Sequence, residues 1–292
     1  MEQLISVVII TYKRPLDVLS RAIKSVMDQT YQNFELIVVN DAPEDKDLAS
    51  KILEYIDSLS DKRIRYIEHE KNKGANAARN TGLYYASGDY IGFLDDDDEW
   101  NVKKLETQVS YMKSGVALVY GPFIVRKDTG DSCHSSERVL DPLKTILEGN
   151  FIGTTSFPLL LTSAVKETGG FDEDLKSCQE YDLWIRLIER YSIAYTSEML
   201  GVYYFSNDST FKSSNKYMVG IESVIKKHEK LYLQYPRQYS NRLNNMAFEL
   251  LRKREFLKSL QYKRRAFCID KTNPNNLTVV CLIKRISRKK KK

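Results

Sequence analysis

An apolar run, Tyr90-Ile91-Gly92-Phe93-Leu94, ends without transition in Asp95-Asp96-Asp97-Asp98-Glu99-Trp100, and this junction constrains the fold more than any other stretch. Its β-branched and aromatic residues, opened by the turn-like Ser87-Gly88-Asp89, predict a short buried strand, with the acids falling where that strand emerges. In an open α/β sheet, ligands bind outside the carboxyl ends of the strands. Neighbouring carboxylates raise one another's pKa, so a row of four calls for a neutralising cation. Hard oxygen donors with few nearby His or Cys favour Mg²⁺ or Mn²⁺ over zinc, held by one or two carboxylates plus substrate phosphates. The alternative is a solvated acidic turn, which the preceding strand and the flanking motifs disfavour.

The chain before this junction alternates two periodicities. Residues 4–10 are continuously apolar, as in a strand buried on both faces. Leu16, Leu19, Ile23 and Val26 then repeat at helical spacing. A second strand, Phe34–Val39, ends in Asn40-Asp41-Ala42-Pro43; a helix covers about 47–58, a third strand 64–67, and a further helix runs from near Gly74 through Tyr85. Such alternation implies an α/β fold with a mostly parallel sheet and right-handed crossovers. The strands end in polar side chains suited to a nucleotide. Asp41 can accept from a base imide or ribose hydroxyl, and Thr11, Tyr12 and Arg14 can hold base and phosphate. In the segment Lys73–Gly82, the small residues suit close helix–sheet packing, whereas Arg79 could reach a phosphate or the acidic cluster.

After the acids, a helix is expected to about Lys113, then a strand at 116–120, an extended stretch at 123–127 and a polar loop at 128–137. Phe151–Ser156 is expected to approach the acceptor. Glu180 and Asp182 precede the amphipathic run Leu183–Ile188, where negative charge also suits a helix N-terminus. Trp184 and Leu187 are read as core. A strand at 202–205 leads to a polar loop, 206–215, long enough to fold over a ligand, with Asn207 and Asp208 as additional metal or phosphate neighbours. From there the pattern is helical to about Ile269, broken at Tyr235-Pro236, and its second part reads as a helical hairpin. The expected division is therefore 1–210, itself split into a nucleotide half (1–100) and an acceptor half (101–210), and a helical extension at 211–292.

Composition narrows the class. Hydrophobic content of 42% and charged content of 29% are those of a globular protein. The four cysteines show neither metal-type nor disulfide-type spacing, which fits a reducing cytosol. Neither a signal peptide nor a membrane span is expected. Net charge is +6 but unevenly placed: residues 211–292 contain 22 Lys/Arg against 5 Asp/Glu, leaving 23 against 34 for residues 1–210. The apolar segment 277–283 beside seven cations in 284–292 suits an anionic membrane surface. A nucleic-acid-binding protein is a competing class, but it needs cations interleaved with exposed aromatics over a face, so no nucleic acid is expected as partner.

Several stretches together resemble the family-2 glycosyltransferases of GT-A fold: Ser6–Pro15, Gln29–Asp41, Gly74–Gly82 and Phe93–Trp100, then Gly169–Glu173 and Gln179–Leu187, in the family's order over about residues 4–205. The resemblance implies a Rossmann-like sheet and an inverting, metal-dependent enzyme that uses a nucleotide-activated sugar, commonly a uridine diphosphate sugar. Carried over by position, Thr11, Tyr12, Arg14 and Asp41 hold the nucleoside, with Arg79 near the phosphates. Asp95 and Asp97 form the Asp-x-Asp pattern. Asp97 is then the ligand of Mn²⁺ or Mg²⁺, and Asp95 and Asp96 belong to the donor site. The chain departs from the family at Asn40-Asp41, where two acids are frequent. It departs again at Gln179-Glu180, where Glu-Asp is frequent, which makes Glu180 the expected catalytic base with Asp182 as the alternative.

The expected activity is sugar transfer to a saccharide or lipid-linked saccharide acceptor in cell-surface polysaccharide biosynthesis, in the cytoplasm or at the inner face of the cell membrane. Departure of a nucleoside diphosphate needs charge stabilisation, and the attacking hydroxyl needs a general base. A sugar nucleotidyltransferase is the competing enzyme, but its glycine-rich phosphate loop has no counterpart in Thr11–Pro15.

Overall fold

The computed structural model describes residues 3–134, 137–205 and 214–276. The expectations for Asn207, Asp208, the apolar segment 277–283 and the basic cluster 284–292 lie outside the described residues. Among the described residues, no helix is long and apolar enough to cross a membrane. The chain divides into two compact units, Met1–Arg138 with Ile152–Ser213, and Val139–Phe151 with Ser214–Lys292.

The first unit begins β1 (Ile5–Thr11), α1 (Leu16–Met27), β2 (Phe34–Asn40), α2 (Lys46–Leu59), β3 (Ile64–Glu68), α3 (Ala75–Tyr85) and β4 (Tyr90–Asp95). It continues through β5 (Glu99–Trp100), α4 (Lys104–Val109), β6 (Val116–Tyr120), β7 (Phe123–Lys127) and β8 (Gly130–His134). Within the second unit lies α5 (Pro142–Glu148), after which the first unit resumes with β9 (Leu159–Leu161), α6 (Thr162–Glu167), α7 (Gln179–Arg190), β10 (Ser192–Tyr195) and β11 (Gly201–Tyr204).

A seven-stranded sheet has the order β10-β6-β9-β4-β1-β2-β3. The neighbours β4, β1, β2 and β3 are parallel. Ile5, Val7, Val8, Ile9, Leu36, Ile37, Val38 and Ile91 are wholly buried, because helices cover both faces of such a sheet. The register sets Thr11 beside Asn40, Asn40 beside Glu68, and Ile10 beside Asp95, so these strands end on one edge. The short β9 pairs antiparallel with both β4 and β6 and joins the halves of the sheet. A smaller sheet, β5-β11-β7-β8, includes the hairpin β7–β8, which closes at Gly130 with φ 118°. Residues 130–134 thus form a strand where the sequence reading has a loop; they are polar and mostly exposed, so no apolar alternation marks them. The helix expected to Lys113 stops at Val109 and continues in single turns bonded three residues back.

Local chemistry explains the helix starts. The Asp45 carboxylate caps α2 by accepting from the Leu48 amide at 3.1 Å. On α1, Leu19, Ile23 and Val26 face the core. On α3, Gly82 lies against Val8 of β1 so closely that a Cβ there would come within 2.2 Å of a Val8 methyl. That approach sets the depth of the helix carrying Arg79.

The second unit comprises α5, α8 (Ser214–Lys227), α9 (Glu229–Gln234), α10 (Pro236–Arg252) and α11 (Phe256–Ile269). Pro236 opens α10 at the break expected from sequence, since a proline at the first helical position forfeits no bond. Asp141 caps α5, and Glu148 at its far end accepts from Asn241 of α10 at 2.8 Å.

Replacing Gly82 by alanine is expected to lower stability by about 1–3 kcal/mol through overpacking against Val8. The urea midpoint would report it; an unchanged midpoint would show that β1 yields at this contact.

Candidate active site

The acidic turn follows directly from β4: the Asp98 amide donates to the Asp95 carbonyl at 3.1 Å. Three arginines from different elements converge on it. Arg14, after β1, donates from Nε to Asp96 at 2.8 Å and from Nη2 to Asp97 at 3.0 Å. Arg79 of α3 donates to Asp95 at 2.7 Å, and Arg21 of α1 donates to the Asp97 carbonyl at 2.6 Å. Asp98 is wholly buried and accepts from the Ser156 hydroxyl at 2.5 Å and the Tyr204 amide at 3.1 Å. The Thr155 hydroxyl lies 3.4 Å from Asp95.

Even with these partners the acids hold protons more tightly than free carboxylates. Burial pushes Asp96 up to about 6, against the pull of Arg14 and the Thr11 hydroxyl. Asp97 is raised by burial and by the charge of Asp95, with Arg14 opposing. Asp98 is raised furthest, by burial and then by Asp95 and Asp97. Burial is the largest cause at all three, with Arg14 opposing it at Asp96 and Asp97.

The remaining sequence candidates are distributed around this edge. Tyr12 is half-exposed, with its hydroxyl 3.4 Å from Glu44. Asp41 is buried at the end of β2, where it accepts from the backbone amides of Lys73 and Gly74, both at 2.8 Å, and meets His69 Nδ1 at 2.8 Å. Its carboxylate thus anchors the start of α3. Glu180, the second residue of α7, is partly buried, and among the described residues no other side chain hydrogen-bonds to its carboxylate. Burial raises its proton affinity, while a backbone hydrogen bond and the Arg79 charge lower it and the Asp95 charge raises it. Asp182 is different: it is wholly buried and takes two bonds from Arg186, at 3.0 and 2.7 Å. Arg186 also donates to the carbonyls of Thr168 and Gly170, so this pair ties α7 to the preceding turn. Trp184 and Leu187 are core, as the periodicity implies.

Sequence reasoning missed Arg21, Asp98, Ser156 and His69. Asp98 stood in the acidic row itself, and Ser156 in the stretch read as approaching the acceptor. Nothing local distinguishes Arg21 or His69, whose partners are far away in the chain. Among the described residues, no group of three or more His, Cys, Asp or Glu is arranged to enclose a metal ion.

Comparison with known proteins fits this geometry. The description "Glycosyl transferase family 2" matches residues 6–167. An uncharacterized glycosyltransferase of Methanocaldococcus jannaschii is 32% identical over 73% of this chain and 74% of its own length. Another of Rickettsia bellii is 32% identical over 75% of this chain and 31% of its own length. The Escherichia coli enzyme named UDP-Glc:alpha-D-GlcNAc-diphosphoundecaprenol beta-1,3-glucosyltransferase WfgD is 42% identical over 42% of this chain and 46% of its own length. The chain therefore spans between a third and three quarters of the length of these relatives. Among solved structures, Staphylococcus aureus TarS in complex with UDP-GlcNAc is 16% identical, with a TM-score of 0.57 over 94% of this chain and 76% of that chain. The mannosyltransferase PcManGT from Pyrobaculum calidifontis, in complex with GDP-Man and Mn²⁺, is 12% identical, with a TM-score of 0.58 over 96% of this chain and 79% of that chain. The chain belongs to glycosyl transferase family 2 and has the GT-A fold.

Because folded Asp96 takes up its proton near pH 6 and an ordinary aspartate near 3.8, the folded state binds more protons between these values. Its stability should therefore rise, relative to Asp96→Asn, as pH falls through that window. Urea unfolding in chelator at pH 7 and pH 4.5 should show the wild type gaining on the order of 1–2 kcal/mol on the variant. A constant difference would mean that Asp96 is ionised throughout.

Proposed function

We propose that this protein is an inverting glycosyltransferase that moves a sugar from a nucleoside diphosphate sugar, of the uridine type, to a saccharide or lipid-linked saccharide acceptor. The observation that carries this reading is the acidic turn at the carboxyl ends of β1 and β4, held by Arg14, Arg21 and Arg79, together with the partly buried Glu180 that opens α7. Arg14, Thr11, Tyr12 and Asp41 belong to the same edge and would bind the nucleotide. The UDP-GlcNAc complex of TarS supports the donor class, and the name of WfgD, which specifies a diphosphoundecaprenol-linked acceptor, supports a cell-surface polysaccharide product.

A divalent cation fits this turn. Its donors are all carboxylate oxygens, and because no three acids enclose an ion among the described residues, one or two of them would hold it together with the donor's phosphates. Asp97, with Asp95, would hold Mn²⁺ or Mg²⁺. Such an ion supplies charge neutralisation for the diphosphate leaving group.

The protein's own groups perform the rest. Glu180 accepts the proton of the acceptor hydroxyl as its oxygen bonds to the anomeric carbon from the face opposite the diphosphate. The bond from that carbon to the phosphate oxygen breaks, and the electron pair leaves with the nucleoside diphosphate. One displacement inverts the configuration and needs no covalent sugar–enzyme intermediate. Burial keeps Glu180 more basic than a solvated carboxylate, as a general base requires, with the Arg79 charge opposing that shift. Asp182, locked by Arg186, positions α7 and so holds Glu180 in place.

Glu180→Gln should lower transfer by roughly 10²–10⁴-fold while leaving nucleotide binding intact. Near-normal turnover would sink the assignment. Asp97→Ala should instead abolish the Mn²⁺-dependent part of thermal stabilisation by a nucleoside diphosphate; a full Mn²⁺-dependent shift in that variant would remove Asp97 from the metal site.

A further inference from the structure

Helix α11 has two sides with different surroundings. Ser259, Lys263 and Ala266 face inward: Ser259 donates to the Ala247 carbonyl at 2.7 Å, and Lys263 to Asn244 at 2.5 Å. Leu257, Leu260, Arg264 and Phe267 stand three, four and three positions apart and form a separate stripe along the helix. Its apolar members are 81%, 53% and 49% exposed. Scattered exposed apolar residues are ordinary, but a stripe of them on one helix marks an interaction surface.

The charge around the stripe identifies its partner. Residues 252–271 contain eight Lys/Arg and two Asp/Glu; Lys263 faces inward and Arg252 and Arg265 pair with Glu249 and Glu222, while Lys253, Arg254, Arg264 and Lys271 are exposed. Both acids are engaged, Glu255 by Lys258 at 2.6 Å and Asp270 by Arg237. Arg264 lies within the stripe and is exposed. Exposed apolar side chains embedded in surplus cations are the pattern of a helix lying in the headgroup layer of an anionic bilayer. Long basic side chains can keep their stems with the acyl boundary while their charges reach phosphate. A second copy of the same face would set cation against cation. A nucleic acid would leave the two leucines in water with no base-stacking role. The sequence beyond the described residues adds seven Lys/Arg in 284–292, all of the same sign.

We infer that the Leu257–Leu260–Arg264–Phe267 face of α11 docks this protein on an anionic phospholipid surface. The inference stands independently of the sugar-transfer reading and is tested without it. The full-length protein is sedimented with vesicles of phosphatidylcholine alone or mixed with phosphatidylglycerol. It should bind the anionic vesicles preferentially and be released by salt. The variant Leu257→Glu/Leu260→Glu/Phe267→Glu should bind them at least about tenfold more weakly, with unchanged thermal unfolding and nucleotide binding. Should that variant unfold, Arg264→Glu alone should still weaken binding several-fold in a folded protein. Equal binding to both vesicle types would overturn the inference, as would undiminished binding by the folded variants. So would loss of binding only when the seven cations of 284–292 are replaced by glutamine. A dimer in light scattering that the triple variant dissociates, without vesicle binding, would assign the face to a second copy instead.

Discussion

The site depends on one electrostatic problem: four consecutive carboxylates placed where a buried strand ends. Left alone, such a turn would repel itself apart or fill with protons. The fold answers with Arg14 from the β1 end, Arg79 from α3 and Arg21 from α1, each reaching a different part of the turn. These same contacts draw together the ends of β1 and β4 and two of the helices packed on them. Neutralising the turn and drawing these strand ends together are therefore a single event. Burial outweighs the arginines, which is why the raised proton affinities of Asp96 and Asp97 survive beside Arg14.

The first hundred residues were legible because their structure is local. Buried parallel strands are continuous apolar runs, helices repeat at three and four, and each strand announces its end with polar residues. Of sheet β5-β11-β7-β8 only β7 and β11 were legible: β5 has two residues and pairs with the distant β11, and β8 is polar, so its hairpin with β7 leaves no apolar alternation. The same limit applies to side chains. Arg79 stood out because a long cation sits badly among alanines, whereas Arg21 and His69 have partners 76 and 28 residues away and no local oddity. Asp182 and Glu180 look equivalent in sequence as acids at a helix start. Only the Arg186 bridge, formed one helical turn later, sets Asp182 apart.

The two units handle charge in opposite ways. In the first, acids are concentrated, buried and answered by arginines. In the second, the amine of Lys263 is buried among amides, with burial lowering it to about 8, and Arg242 is buried as well, while Lys253, Arg254 and Arg264 are exposed. Buried polar groups require partners, and here Asn244, Asn273 and Asn276 supply them, fixing the segment after α11 against α10. That arrangement spares the outer side of α11 from any part in holding its own unit together.

The main sheet is continuous only through Leu159–Leu161. On one side this three-residue strand meets β4, which carries the acidic turn; on the other it meets β6, beyond which lies β10. Two parallel blocks thus share one narrow antiparallel seam rather than a common ladder. Strands beyond such a seam can lengthen, tilt or be replaced without shifting the register of β4 and β1, where the acidic turn is set. The architecture separates what evolution can vary from what it must keep, and a lineage could acquire new receiving molecules while inheriting one way of holding a donor.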